Sequence, residues 1–153
     1  MSKLTHQLET GLRINKAADD ASGLAIANQL RAQHEGLSQA IRNSNEAVSL
    51  TNIADGALQE YTDILLTARE KASQAISDSN SAESRAALEA DVKALMDSAD
   101  VIAQQTEFNG IKLLDGTFTN KVFQTGAYSG QTTSISIADT TIATLGIDDA
   151  SLD

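Results

Sequence analysis

Ala54-Asp55-Gly56-Ala57-Leu58-Gln59-Glu60-Tyr61-Thr62-Asp63-Ile64-Leu65-Leu66-Thr67-Ala68-Arg69-Glu70-Lys71-Ala72-Ser73-Gln74-Ala75 places Ala54, Leu58, Tyr61, Leu65, Ala68, Ala72 and Ala75 alternately four and three residues apart. That alternation is the seam of a helix packed along another helix. Working upstream, Ile26, Leu30, Leu37, Ile41 and Val48 also recur at helical spacing but out of phase with the seam. The slip near Leu50–Ala54 resembles a stutter, which would locally change the supercoil. Together the two runs predict one helix over about 21–77. At about 1.5 Å per residue it would reach roughly 85 Å, which predicts an elongated molecule. Gly36 and Gly56 each weaken such a helix by about 1 kcal/mol relative to Ala; either could admit a close neighbour or simply be tolerated.

Downstream, Ser77-Asp78-Ser79-Asn80-Ser81 reads as a turn. A second helix is expected over about 82–105, with Leu88, Val92, Leu95, Ala99 and Ile102 as its seam. The short connection implies antiparallel packing. The second helix covers less than half of the first, so the rest of the first must meet something else. From Phe108 the pattern changes. Asn109-Gly110 signals a tight turn. Val122 to Thr125 and Thr132 to Ile137 read as strands closed by Gly126 to Gln131, and Thr140 to Leu145 as a candidate further strand. The end, Asp148 to Asp153, is polar and expected to be loose. At the other end Leu4, Leu8 and Leu12 lie four apart, and Gly11 and Gly23 bracket a polar connector in which Asp19 or Asp20 is the candidate N-cap. The expected fold class is mainly α: an elongated antiparallel long-helix bundle or coiled coil with a C-terminal β-hairpin region. The expected divisions are 1–20 (helix end and connector), 21–107 (two-helix rod) and 108–153 (hairpin region and tail).

Composition agrees with helices rather than a compact globule. The 153 residues include no Trp, three Phe and two Tyr, so Ala, Leu and Ile must fill the core, as suits closely packed helices. No proline interrupts them. A formal net charge of −10 argues against nucleic acid and anionic membranes, both of which call for Lys and Arg in excess. The absence of cysteine excludes disulfides and thiol chemistry. No apolar stretch is long enough to span a bilayer, and Met1 to Gln7 lacks the apolar region of a cleavable signal peptide.

Catalytic chemistry is missing. His6 and His34 sit on different segments, and His34 reads as a packing or interface residue. Asp19-Asp20 and Asp148-Asp149 lack the alternating oxygen ligands of a calcium loop, and Gly110 to Gly116 lacks the Lys-Ser/Thr ending of a phosphate loop. No enzyme activity, cofactor or metal is expected.

The segment Leu8-Glu9-Thr10-Gly11-Leu12-Arg13-Ile14-Asn15-Lys16-Ala17-Ala18-Asp19-Asp20-Ala21-Ser22-Gly23-Leu24-Ala25-Ile26-Ala27 closely resembles the N-terminal signature of bacterial flagellins. Gln105 to Leu114 and Phe123-Gln124-Thr125-Gly126-Ala127 are similar to further strings of that family, and the resemblance runs from Leu8 to about Leu145. It implies a secreted structural subunit of the flagellar filament that serves motility by helix–helix packing with further copies, a route of export without a cleavable signal peptide, and contacts with an export chaperone and with cap or junction proteins. It also implies a fragment, lacking most of an inner helix and everything C-terminal. Leu12, Arg13, Ile14, Asn15, Asp19 and Asp20 are the residues it points to for positioning the connector and packing subunits. Their plainer reading is a capped turn. In some flagellins the long helix near Arg69-Glu70 and the facing helix are bound by a Toll-like innate receptor. Arg69, Glu70 and Gln74 match that pattern. Thr67 and Lys71 stand where an arginine and a leucine are expected, and Asp91 where a glutamate is, which implies weak or absent receptor activation. Thr117-Phe118-Thr119-Asn120 is similar to a string of the epsilon-proteobacterial branch of the family. The alternatives are a hook–filament junction protein and, from a different class, a coiled-coil signalling or scaffold protein.

Overall fold

The computed structural model describes residues 8–11, 13, 14, 16, 18 and 20–146. Its order is α1 (Ala21–Ala75), α2 (Ala82–Gln105), β1 (Glu107–Phe108), β2 (Ile111–Lys112), β3 (Lys121–Gln124), β4 (Thr132–Ile135) and α3 (Ile142–Leu145). The protein is mainly α, a long-helix pair with short antiparallel strands. The described residues divide into two units: those up to Ser44 with 124–133, and 45–123 with 134–146.

Helix α1 is continuous because Ala and Leu dominate it and no proline breaks it. It ends in a turn that satisfies a terminal carbonyl: Gln74 O accepts from Ser77 N at 3.2 Å and from the Asn80 side-chain amide at 2.5 Å. Helix α2 starts at once, with the Ser81 hydroxyl accepting from Ser84 N at 3.1 Å and Glu83 in the first turn, where the helix dipole favours a negative charge. It stops where Thr106 turns its N–H and hydroxyl back on Ile102 O, at 3.0 and 2.6 Å.

In the second unit the core joins Leu50, Ala54 and Tyr61 of α1, Ala99 and Ala103 of α2, and Leu113, Leu114 and Phe118 from the segment after the helices. The two helices run antiparallel: Lys71 pairs with Asp91, while Tyr61, ten residues earlier, shares its cluster with Ala99 further along α2. Strands β1 and β2 pair antiparallel around Asn109-Gly110, with Phe108 opposite Ile111 and Glu107 opposite Lys112, whose charges meet at 2.9 Å. Phe108 leans on the core from this hairpin. Strands β3 and β4 form a second two-stranded sheet. The candidate strand over Thr140–Leu145 is instead the short helix α3. Asp139 starts it by accepting from Thr141 N at 2.9 Å, and Gly146 ends it at φ 68°. These local hydrogen bonds outweigh the β-branched character of Thr140, Thr141 and Ile142.

In the first unit, the segment 124–133 lies along one face of α1. Gly36 allows the approach: a Cβ there would stand 3.2 Å from the Ala127 Cβ. Asn43 donates its amide to Gln124 O at 2.9 Å, and Gln33 donates to the Tyr128 hydroxyl. Gly56, by contrast, has open space around it.

Burial corrects the expected stutter. Ala40 and Ala47 are 3% and 8% exposed, and they stand seven residues apart in the same phase as Ala54, Tyr61 and Ala68. From Ala40 to Ala68 the inner face of α1 therefore keeps one heptad phase. The run Ile26, Leu30, Leu37, Ile41 and Val48 is exposed throughout, Ile41 by 63% and Val48 by 59%. Ile41 and Val48 each follow a buried alanine by one residue, which sets them about 100° round the helix. Ile41 and Val48 stand on another face, whereas Ile26, Leu30 and Leu37 share the heptad positions of Ala54 and Leu58 and are exposed all the same, so what looked like a slip is an apolar stripe that leaves the seam after Leu37.

Candidate packing surface

The connector is built from the start of α1 outward. Asp20 is its N-cap: one carboxylate oxygen accepts from Gly23 N at 2.8 Å, and the Asp20 carbonyl accepts from Leu24 N at 3.0 Å. The same turn is closed by Ile14, whose Cδ1 would lie 3.0 Å from a Cβ at position 23, while the Asp20 carboxylate would meet that carbon head-on. A glycine is thus required for the cap and the Ile14 side chain to share one turn. Of the six residues expected to position the connector, Arg13, Ile14 and Asp20 are described. Leu12, Asn15 and Asp19 lie outside the described residues, as do His6 and the Asp148-Asp149 pair.

Among the described residues, Ile26, Leu30, Leu37, Ile41 and Val48 form an exposed apolar stripe on α1. Ile26, Leu37 and Val48 are eleven apart, as are Leu30 and Ile41. An eleven-residue period keeps apolar side chains in file with a slight right-handed drift. Such a surface offers a helix-sized strip and nothing that reacts.

On the other half of α1, Arg69, Glu70 and Gln74 are exposed, with Glu70 and Gln74 one turn apart. Lys71 Nζ meets Asp91 Oδ2 of α2 at 3.1 Å. Two of the three positions that depart from the receptor-binding pattern, Lys71 and Asp91, are thus each other's partners. Both are more than a third exposed, and an ion pair of this kind contributes about 0.2–1 kcal/mol. Thr67 turns its hydroxyl inward to Asp63 O at 2.9 Å.

Two carboxyl groups with displaced affinities, Asp115 and Asp139, serve turns. Hydrogen bonds from the Thr117 hydroxyl and N–H hold the Asp115 carboxyl below its ordinary range. Asp139 is held below it by Thr141 N, then the Thr144 and Thr141 hydroxyls. Burial raises the Tyr61 phenol, with Asp100 and Asp139 adding to the effect. These locks were missed from the sequence, although the repeated Asp-x-Thr of 115–117 and 139–141 is a legible signal for them. Among the described residues no cluster of His, Cys, Asp and Glu could hold a metal ion, and His34 is exposed on α1.

A family model described as the bacterial flagellin N-terminal helical region matches residues 1–119. The chain belongs to the bacterial flagellin family. Flagellin B of Helicobacter pylori is 48% identical over 146 residues, 95% of this chain and 28% of that protein. Flagellin A of Helicobacter felis is 49% identical over 92% of the chain and 27% of its own length, and Flagellin B of Vibrio anguillarum 44% identical over 90% and 36%. The solved FliC from Burkholderia pseudomallei is 36% identical with a TM-score of 0.55, covering 58% of this chain and 34% of its own. The flagellin chain thus spans about a quarter to a third of these curated relatives.

Proposed function

We propose that this flagellin chain is part of the helical core of a structural, non-catalytic subunit of the extracellular flagellar filament, which polymerises with further copies of itself. The observation that carries the reading is the exposed stripe from Ile26 to Val48 on a helix that buries Ala40 and Ala47 on another face. A strip of that length and apolarity calls for cover by another chain or segment. Membership of the flagellin family supports the same reading. In this reading residues 1–20 join inner and outer layers, 21–107 form the rod, and 108–153 the hairpin region. Leu12, Arg13, Ile14, Asn15, Asp19 and Asp20 position the connector between subunits. The parent protein leaves the cell without a cleavable signal peptide and meets an export chaperone and cap or junction proteins.

The proposal extends to innate recognition. With Lys71 tied to Asp91 and Thr67 lacking the expected arginine, the face of Arg69, Glu70 and Gln74 engages a Toll-like receptor weakly or not at all. Reporter cells treated with monomer should stay near background, and activation at nanomolar concentration would sink this part.

Immunogold electron microscopy of the source bacterium, with an antibody raised against this chain, tests the main reading. Label along the whole filament is expected. Label only at the hook–filament boundary would favour the junction protein, and label only inside the cell would overturn both.

A further inference from the structure

We propose that Asn109 is a site of spontaneous chemical modification, its side-chain amide being lost through attack by the Gly110 nitrogen. Asn109 and Gly110 are the two central residues of the β1–β2 turn, at φ 51° and 77°, and Asn109 is exposed. Among the described residues, neither the Asn109 carboxamide nor the Gly110 N–H has a hydrogen-bond partner. A Cβ at position 110 would meet nothing within 4 Å, so no neighbour confines the turn. Each flanking strand is only two residues long, and a two-stranded hairpin of that size opens readily. Opening lets the Asn109 backbone rotate until the Gly110 nitrogen faces the side-chain carbon.

The Gly110 nitrogen then bonds to Asn109 Cγ. The Cγ–Nδ2 bond breaks, and ammonia departs with the proton that left Gly110. The product is a five-membered succinimide. Water adds to one of its two carbonyls and opens the ring to aspartate or, with the main chain rerouted through Cγ, to isoaspartate. No redox partner is involved. The aspartate product places a negative charge beside the Glu107–Lys112 pair. The isoaspartate product lengthens the main chain by one carbon inside a two-residue turn, so Phe108 can no longer sit opposite Ile111.

Other asparagines are better guarded. The amides of Asn43 and Asn80 are committed to Gln124 O and Gln74 O. Asn28, Asn45 and Asn52 lie within α1, where the following N–H is held in the helix. Asn120 also has positive φ, but is followed by a lysine rather than a glycine.

The test is to incubate the folded chain in mildly alkaline buffer at physiological temperature and map peptides by mass spectrometry over days. Isoaspartate is labelled with the methyltransferase specific for it. Amide loss should be several-fold faster at Asn109 than at any other described asparagine, with methyl label in the same peptide. Asn109→Gly keeps a turn-forming pair and should remove that label. Faster loss at Asn80 or Asn120, or an unchanged Asn109 peptide while others convert, would overturn the proposal. So would label persisting in Asn109→Gly.

Discussion

Asp20 does at the first turn of α1 what no apolar residue could. It supplies an acceptor to Gly23 N while Ile14 closes over the same turn. Asp20→Ala should cost about 1 kcal/mol, and Asp20→Asn much less, read from urea melts and from faster amide exchange at residues 23–25. Gly23→Ala should do comparable harm by a different route, because its new carbon displaces both the cap and Ile14. Tyr61 is the opposite case. It is 4% exposed, and its hydroxyl finds no partner. A buried hydroxyl left unpaired carries a desolvation cost, so Tyr61→Phe should leave the protein as stable or raise it by up to about 1 kcal/mol. A loss above that in calorimetry would mean the hydroxyl is satisfied in solution. The capping aspartate could be read from sequence because its neighbours have the composition of a helix start. The orphan hydroxyl could not, since the heptad shows that Tyr61 faces inward but not what meets its tip.

At the scale of elements, the fold class was legible for a simple reason. Seven-residue repetition without proline leaves a chain little to do but form long paired helices, and β-branched runs flanking glycine leave the last third little but hairpins. What was not legible is which of two apolar stripes on α1 stays inside. Ile, Leu and Val mark the exposed stripe, whereas the inner face through 40 and 47 is alanine. Hydrophobicity alone ranks the two the wrong way. Close approach favours small residues where it occurs, as at Gly36 against Ala127 of the segment 124–133. Gly36 and Gly56 should therefore answer differently to alanine. Gly56→Ala should raise stability by about 1 kcal/mol through helix propensity. Gly36→Ala should gain little or lose, and shift the Ala127 resonances in an NMR spectrum. The short helix α3 escaped for a different reason: Thr and Ile suggest a strand until Asp139 is seen to hold Thr141, the residue at which the helix starts.

Across the whole molecule, acid should loosen the segment behind β2. Asp115 and Asp139 are both held below the ordinary carboxylate range by their turns. Their contribution is complete above the range where unfolded carboxylates titrate, and it is lost as pH falls through the lower values they have when folded. Urea melts on a descending pH series should show this loss, and Asp139→Asn should flatten it. The uncovered stripe should make the isolated chain associate as concentration rises. Leu37→Asp with Ile41→Asp should abolish that association in light scattering while leaving the melting temperature little changed, because both residues are exposed. The two stripes also ask for opposite twists. A seven-residue period favours left-handed coiling of α1 about whatever covers its inner face, and an eleven-residue period favours right-handed coiling about whatever covers its outer face. Held on both sides, α1 becomes a torsion balance: loosening either grip would let the other wind the helix its own way, so a small change of contact at one face would be felt as rotation at the other.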